Sequence, residues 1–175
     1  MRQNLIGLFT VALAIFILTG CGGDDTSTGN PEMDKVLDEM KFENAPTLGP
    51  VARKYFVAMF KNEWEKVWDM QSSETQKTNE TMWEAAKNMD DEEEKKMANE
   101  AGSGKEYYLL RMKKTGKSLE ESVKEMKESD EKYEITGEDI SEDGKTGTLK
   151  AKNLKTGEIE ETFRFVKEGD EWKIG

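Results

Sequence analysis

Residues 146–174 read TGTLKAKNLKTGEIEETFRFVKEGDEWKI, and this stretch decides the fold. Leu149 and Ala151 alternate with Thr148, Lys150 and Lys152, and Ile159, Phe163 and Phe165 alternate with Glu160, Thr162 and Arg164. A period of two places the apolar side chains on one face of a strand. Lys155-Thr156-Gly157 separates these runs, and Lys167-Glu168-Gly169-Asp170 turns into a last strand with Trp172 and Ile174. Upstream, Tyr133, Ile135 and Ile140 mark an earlier strand, closed by the hairpin signal Glu142-Asp143-Gly144. Strands in succession with one apolar and one polar face predict an antiparallel meander whose apolar face is covered by helices.

Toward the N-terminus the period changes. Asn30-Pro31 supplies a cap and a first helical position, and Met33, Val36, Leu37 and Met40 follow at i, i+3, i+4 and i+7. After the break Asn44 to Pro50, a broad stripe of Val51, Tyr55, Phe56, Met59, Phe60, Trp64 and Trp68 predicts a main core helix from Pro50 to about Met70, with a bend allowed at Lys61-Asn62-Glu63. Thr78 to Glu100 reads as one further helical segment, in which Asp91 and Lys95, and Glu92 and Lys96, pair at i, i+4. Gly102-Ser103-Gly104 ends it. Lys105 to Lys114 is expected to be helical, although its YYLL also fits a short strand. Ser118 and Glu121 form a capping box ahead of Leu119, Val123 and Met126. Helices first and strands afterwards are the pattern of an α+β domain.

Composition narrows the function. The 175 residues carry 37 acidic and 26 basic side chains, a net charge of -11, and no histidine. Such a balance excludes a nonspecific hold on nucleic acid or anionic lipid, which needs clustered Lys and Arg. The commonest general base and zinc ligand is absent, and the one cysteine, Cys21, cannot form an internal disulfide. No nucleophile and base stand out, so neither an enzyme nor a cofactor or metal site is expected. Three partial motifs fail on inspection. Gly102-Ser103-Gly104-Lys105 lacks a phosphate loop's first glycine (Asn99) and its Ser or Thr (Glu106). Asp139, Ser141, Asp143 and Gly144 start like a calcium loop, but its twelfth position is Lys150. The run Asp90 to Glu94 reads as a solvated helix face with lysine partners.

The first residues carry an address. Leu5 to Leu18, LIGLFTVALAIFIL, is an apolar run of about 14 residues after Arg2, too short for a membrane span of roughly 20. It closes on Leu18-Thr19-Gly20-Cys21, which resembles a bacterial lipoprotein signal. The resemblance implies cleavage between Gly20 and Cys21, and a diacylglyceryl thioether with an added amide-linked acyl chain on Cys21. Two chains anchor stably where one does not. Removing residues 1–20 removes the charge of Arg2 and takes the net charge from -11 to -12. Gly22 to Asn30, small and polar, reads as a flexible leash. Gly22 stands where inner-membrane lipoproteins commonly carry aspartate, so in a double-membraned host the resemblance implies the outer membrane. Otherwise it implies the cell membrane, facing outside the cytoplasm.

Two stretches carry a second resemblance. Gly49-Pro50-Val51-Ala52-Arg53-Lys54-Tyr55-Phe56 opens a helix that breaks at Lys61-Asn62-Glu63-Trp64, and hairpins end in Phe163-Arg164-Phe165 through Glu171-Trp172-Lys173-Ile174. This order is similar to the nuclear transport factor 2-like superfamily, more narrowly to the lumazine-binding-like domains of unknown function found in bacterial lipoproteins. The resemblance implies a cone, with helices packed in the concave face of a curved antiparallel sheet behind an N-terminal signal helix. The expected organisation is a signal peptide at 1–20, a lipid-anchored tether with a short helix at 21–47 and the cone-like domain at 48–175. Tyr55, Trp64, Trp68, Trp83, Tyr133 and Trp172 are the candidate lining of a pocket between helices and sheet; Tyr107 and Tyr108 are further hydrogen-bond donors. The expected function is a noncatalytic interaction or structural module of the cell envelope, tethered through Cys21, whose partner is an envelope protein or a second copy of itself. The alternative is a small-molecule-binding lipoprotein that uses the aromatic pocket.

Overall fold

The computed structural model describes residues 26–175, apart from 117, 130 and 131 and the side chains of Met126 and Glu161. The signal peptide, Cys21 and residues 22–25 lie outside the described residues. The chain is α+β. Among the described residues seven helices, α1 (Pro31–Glu39), α2 (Gly49–Phe60), α3 (Trp64–Asp69), α4 (Ser73–Ala86), α5 (Glu92–Glu100), α6 (Gly104–Thr115) and α7 (Leu119–Glu128), precede four strands. The strands β1 (Tyr133–Ile140), β2 (Thr146–Asn153), β3 (Ile159–Glu168) and β4 (Glu171–Ile174) form one antiparallel meander in the order β1-β2-β3-β4. A 3-10 turn at Phe42–Asn44 joins α1 to α2.

Local chemistry sets the helix ends. The Asn30 side chain accepts from the amides of Glu32 and Met33, with Pro31 at the first helical position. Ser118 and Glu121 make the reciprocal capping box at α7. The expected long core helix is two helices. Asn62 adopts a left-handed φ of 59°, while the amides of Asn62 and Glu63 bond back to Met59 and Ala58 at 3.0 and 2.9 Å, which ends α2 in a Schellman turn. The segment expected as a single helix from Thr78 to Glu100 is also broken. Asp91 caps α5 instead of pairing with Lys95, accepting from the Glu93 and Glu94 amides at 2.9 and 3.0 Å. Those bonds hold its carboxyl below the usual aspartate value. Lys95 lies 3.9 Å from Glu92 and Lys96 3.9 Å from Glu100 instead. Residues 104–115, which left helix and strand both open, are helical.

Two bulges set which side chains face inward. Ile135 pairs with Ala151 and Gly137 with Lys150, so Thr136 is an extra residue in β1. Beyond it Glu138 stands opposite Leu149, on the face where Gly147, Leu149, Ala151 and Asn153 are all buried. The Glu138 carboxylate there accepts from the amides of Thr47 and Leu48 at 3.0 and 2.7 Å, capping α2, whose own cap residue, Leu48, makes no side-chain cap bond. A second slip, between Thr148 paired with Arg164 and Lys150 paired with Glu161, adds a residue to β3. It reverses the face on which Ile159 was expected. Phe165 is fully buried opposite Gly147, whereas Ile159, paired with the exposed Lys152, is 61% exposed.

The apolar face carries Ile135, Leu149, Ala151, Phe165 and Ile174, one or more from every strand, and packs against Met33 and Leu37 of α1, Phe56, Val57 and Phe60 of α2, Phe42 and Val123. The helices do not all lie on the sheet. Ala58, Met59, Trp64, Val67 and Met112 form a second cluster on the other side of α2, and Ala86, Met97, Ala98, Ala101 and Tyr107 a third among α4, α5 and α6. Each sheet edge is covered along part of its length, which limits further strand pairing there. At β1 the Ile135 amide donates to Met40 O at 2.7 Å; at β4 Ser72 and Ile174 exchange backbone bonds with Ile174 and Met70 at 2.7 and 2.8 Å. Gly49 is required where α2 meets the 3-10 turn, because a Cβ there would stand 2.0 Å from Phe42 O.

Of the stretch expected as a tether, 21–47, the helical part packs on the domain. Met33 and Leu37 are fully buried in the main cluster, so α1 is part of the domain. Ser27 Oγ, the Thr28 amide and Thr28 Oγ1 all donate to the Asp34 carboxylate at 2.7 to 2.8 Å, and Arg53 Nε donates to Thr26 O at 3.1 Å. Burial of Asp34 pulls its pKa up, but these bonds and Arg53 outweigh it and hold the carboxyl below its ordinary value. The folded body therefore includes the chain from about Thr26 onward.

The bulge in β3 makes a direct prediction for urea unfolding. Leu149→Ala should cost about 2–5 kcal/mol through the cavity it leaves, whereas Ile159→Ala should change stability by no more than about 0.5 kcal/mol. A large loss at Ile159 would contradict the register.

Candidate functional site

The most polar part of the interior lies where α2, α3, α4 and α6 meet β4. Its centre is Gln71, directly after α3 and only 6% exposed, whose backbone bridges in parallel to Ile174. Its Oε1 accepts from Asn79 Nδ2 at 3.0 Å, and the hydroxyls of Tyr55 and Tyr108 are both hydrogen-bonded to its side chain. Gln76 Nε2 donates to Trp68 O at 2.9 Å. Trp68 leans on Tyr108 with ring centroids 5.3 Å apart, and Tyr55 meets Phe163 edge-on at 6.3 Å. Side chains from three helices, α2, α4 and α6, thus meet at one amide, while the backbone on either side of it is bonded to β4.

The electrostatics of this junction fix its protonation. Burial pushes the Tyr55 phenol up to about 12, against the smaller opposing effect of the Gln71 bond. Tyr108 is pushed up further, first by burial and then by the neighbouring Tyr55, again against Gln71. Proton transfer near neutral pH needs a group whose pKa lies near the working pH. Two phenols held neutral can only donate and accept hydrogen bonds, so the chemical capacity of the junction is to fix geometry.

A second polar cluster ties α5 to α6. Tyr107, 4% exposed, donates to Glu94 Oε2, while Arg111 Nε lies 3.5 Å from Glu94 Oε1 and the guanidinium 5.7 Å from the Tyr107 ring. Burial first, then the bond and charge of Glu94, raise Tyr107 to about 12. Lys114 pairs with Glu93. The acidic run is therefore only partly the solvated face expected of it. Asp91 caps its own helix, and Glu93 and Glu94 bind the next one.

The six residues singled out as a pocket lining do not converge. Tyr55 and Trp68 meet at the Gln71 junction through Tyr108. Trp64 is buried in the second cluster, next to an elbow where its Nε1 and Asn62 Oδ1 find no hydrogen-bond partner among the described residues. Trp83 belongs to the third, with Nε1 donating to Ala98 O at 2.8 Å and Lys87 Nζ 3.5 Å above its ring. Tyr133 accepts from Asn153 Nδ2 at 3.1 Å at the start of β1, and Trp172 flanks the main cluster beneath Lys167. Gln71 and Asn79 escaped the sequence reading because a buried amide has no periodicity that sets it apart from a surface one. The Trp-rich stretch ending just before Gln71 was the only pointer.

The rejected motifs have structural roles instead. At the start of α6 the Gly104 amide is taken by Glu80 Oε2 at 2.9 Å and the Gly102 amide by Glu106 Oε2 at 2.6 Å, so carboxylates occupy the donors a phosphate would use. Asp143 accepts from Ser141 Oγ and the Lys145 amide at 2.7 and 3.0 Å inside the β1–β2 turn, and Asp139 pairs with Lys150 at 2.6 Å. Comparison of the chain with protein-family models, with curated proteins and with solved structures returned no match.

The raised phenols give a signed pH dependence. Above about pH 10 the unfolded chain releases tyrosine protons that the folded chain keeps. Stability should therefore be level below that point and fall as pH rises through the folded values near 12. Tyr55→Phe should remove one late step from the alkaline ultraviolet titration and make the loss of stability less steep. Titration of Tyr55 near 10 in the folded protein would contradict its burial.

Proposed function

We propose that the protein is a cell-envelope lipoprotein, anchored through acyl chains on Cys21, whose folded body is a noncatalytic interaction or structural module. The observation that carries this reading is Leu18-Thr19-Gly20-Cys21 at the end of a short apolar run. Two structural facts support it. The described chain is packed or hydrogen-bonded into the body from about Thr26 onward, five residues after Cys21. Among the described residues no helix is long and apolar enough to cross a membrane.

The noncatalytic part of the reading is supported by how the interior spends its polar groups. Tyr55 and Tyr108 are held neutral around Gln71. The carboxylates of Glu138, Glu80, Glu106 and Glu168 are committed to backbone amides at 2.6 to 3.0 Å. The resemblance to the nuclear transport factor 2-like fold is supported by the element order and by bulges in β1 and β3, the devices that bend a sheet. A curved sheet gripping α1, α2 and α7 is the form of that fold proposed here.

Metabolic labelling with a fatty-acid probe tests the anchor. The wild-type chain should carry the label and partition with membranes, and Cys21→Ser should lose both. Label that persists in the variant would overturn the lipoprotein reading.

A further inference from the structure

We propose that the bilayer meets one particular face of the domain, made by Thr26–Asn30, the first turns of α1 and the surface of α2 around Arg53, and that α5 stands away from it. This rests on the lipoprotein reading and adds to it which side faces the lipid. Five chain steps separate Cys21 from Thr26. Whatever their conformation, they span at most about 18 Å, at ~3.3–3.6 Å per residue. Thr26 cannot pay out more chain, because the carbonyl of Thr26 is held by Arg53 and the next two residues by Asp34. A domain of this length has a radius of gyration of about 15 Å and a diameter of about 40 Å. The leash is less than half that diameter, so the side carrying Thr26 can settle on the headgroups and the opposite side cannot.

The charges of this face suit a lipid surface better than the net charge suggests. Asp38 is paired with Arg53 at 2.7 Å and Glu32 with Lys127 at 2.8 Å, while Asp34 is enclosed by Ser27 and Thr28. Lys35 and Lys54 are exposed beside them. The acidic run Asp90 to Glu94 lies instead at the start of α5, which packs on α4 and α6 in a cluster that contains no residue of α1 or α2. An anionic leaflet would therefore face these paired acids, with the acidic run elsewhere in the fold.

Cys21 is the one cysteine, and its thiol is consumed when it becomes a thioether. A cysteine placed at an exposed position of the lipidated protein is then the only thiol that takes a dye. Lys35→Cys, Lys54→Cys, Glu92→Cys and Asn99→Cys variants would be labelled and bound to vesicles of phosphatidylglycerol and phosphatidylethanolamine carrying a nitroxide on the headgroup. Quenching should be several-fold stronger at positions 35 and 54 than at 92 and 99. A flexible insert of about 20 Gly and Ser residues between Asp25 and Thr26 should erase the difference while leaving flotation with the vesicles intact. Equal quenching at all four positions in protein that floats would overturn the proposed orientation, as would a difference that survives the insert. Protein that does not float would overturn the lipoprotein reading on which it rests.

Discussion

From Phe56 to Phe60 every residue of α2 is buried. Five successive residues of an α-helix point over more than a full turn, so this end of α2 has no side left for water and must be enclosed all round. The sheet supplies one wall through Leu149, Phe165 and Ile174 against Phe56, Val57 and Phe60, and α3 and α6 supply the other through Val67 and Met112 against Ala58 and Met59. The remaining architecture follows from that enclosure. The chain turns sharply at Asn62 because α3 has to fold back along α2, and Glu138 has to reach the amides at α2's start because no neighbouring side chain caps it. Two of the layers the protein possesses exist as the two sides of this helix.

A chain with net charge -11 would be expected to use its acids for solubility. Many of them serve the backbone instead. Glu138 caps α2, Glu168 takes the amide and hydroxyl of Ser73 at 2.7 and 2.9 Å, Glu80 takes Gly104 and Asp34 fastens the segment ahead of α1. Three of these couple elements distant in sequence, Glu138 across 90 residues, Glu168 across 95 and Glu80 across 24. Such bonds to charged acceptors are worth more than neutral ones. They fix how the helices dock on a sheet whose apolar contacts, built from Met, Phe and a few aliphatic residues, are adaptable.

The elements were largely legible in the sequence, because strand alternation, the Asn30-Pro31 start and the Ser118–Glu121 box are local signals. The strand faces were less so. A bulge is one extra residue, and nothing in IEETFRF announces it, so Ile159 kept the parity of Phe165 on paper and lost it in the sheet. The break before α5 was hidden for a similar reason, since Asp91 suits an i, i+4 pair and an N-cap equally well until the backbone decides. The six aromatic residues shared only a residue class. Their scatter over several clusters, and the gathering of Tyr55, Tyr108 and Asn79 on Gln71, depend on helix docking that no local pattern encodes. Of the proposed site, the sequence carried the anchor motif, and the structure added that the chain is fastened to the body from Thr26 onward.

Native-state hydrogen exchange of α2 tests most directly whether the protein is organised around this enclosed helix. Amides of Val57 to Phe60 should exchange only through global unfolding, together with the paired amides of β2 and β3, while the ends of α5 exchange through smaller openings. Exchange of α2 through a local opening well below the free energy of unfolding, with the sheet still protected, would contradict it.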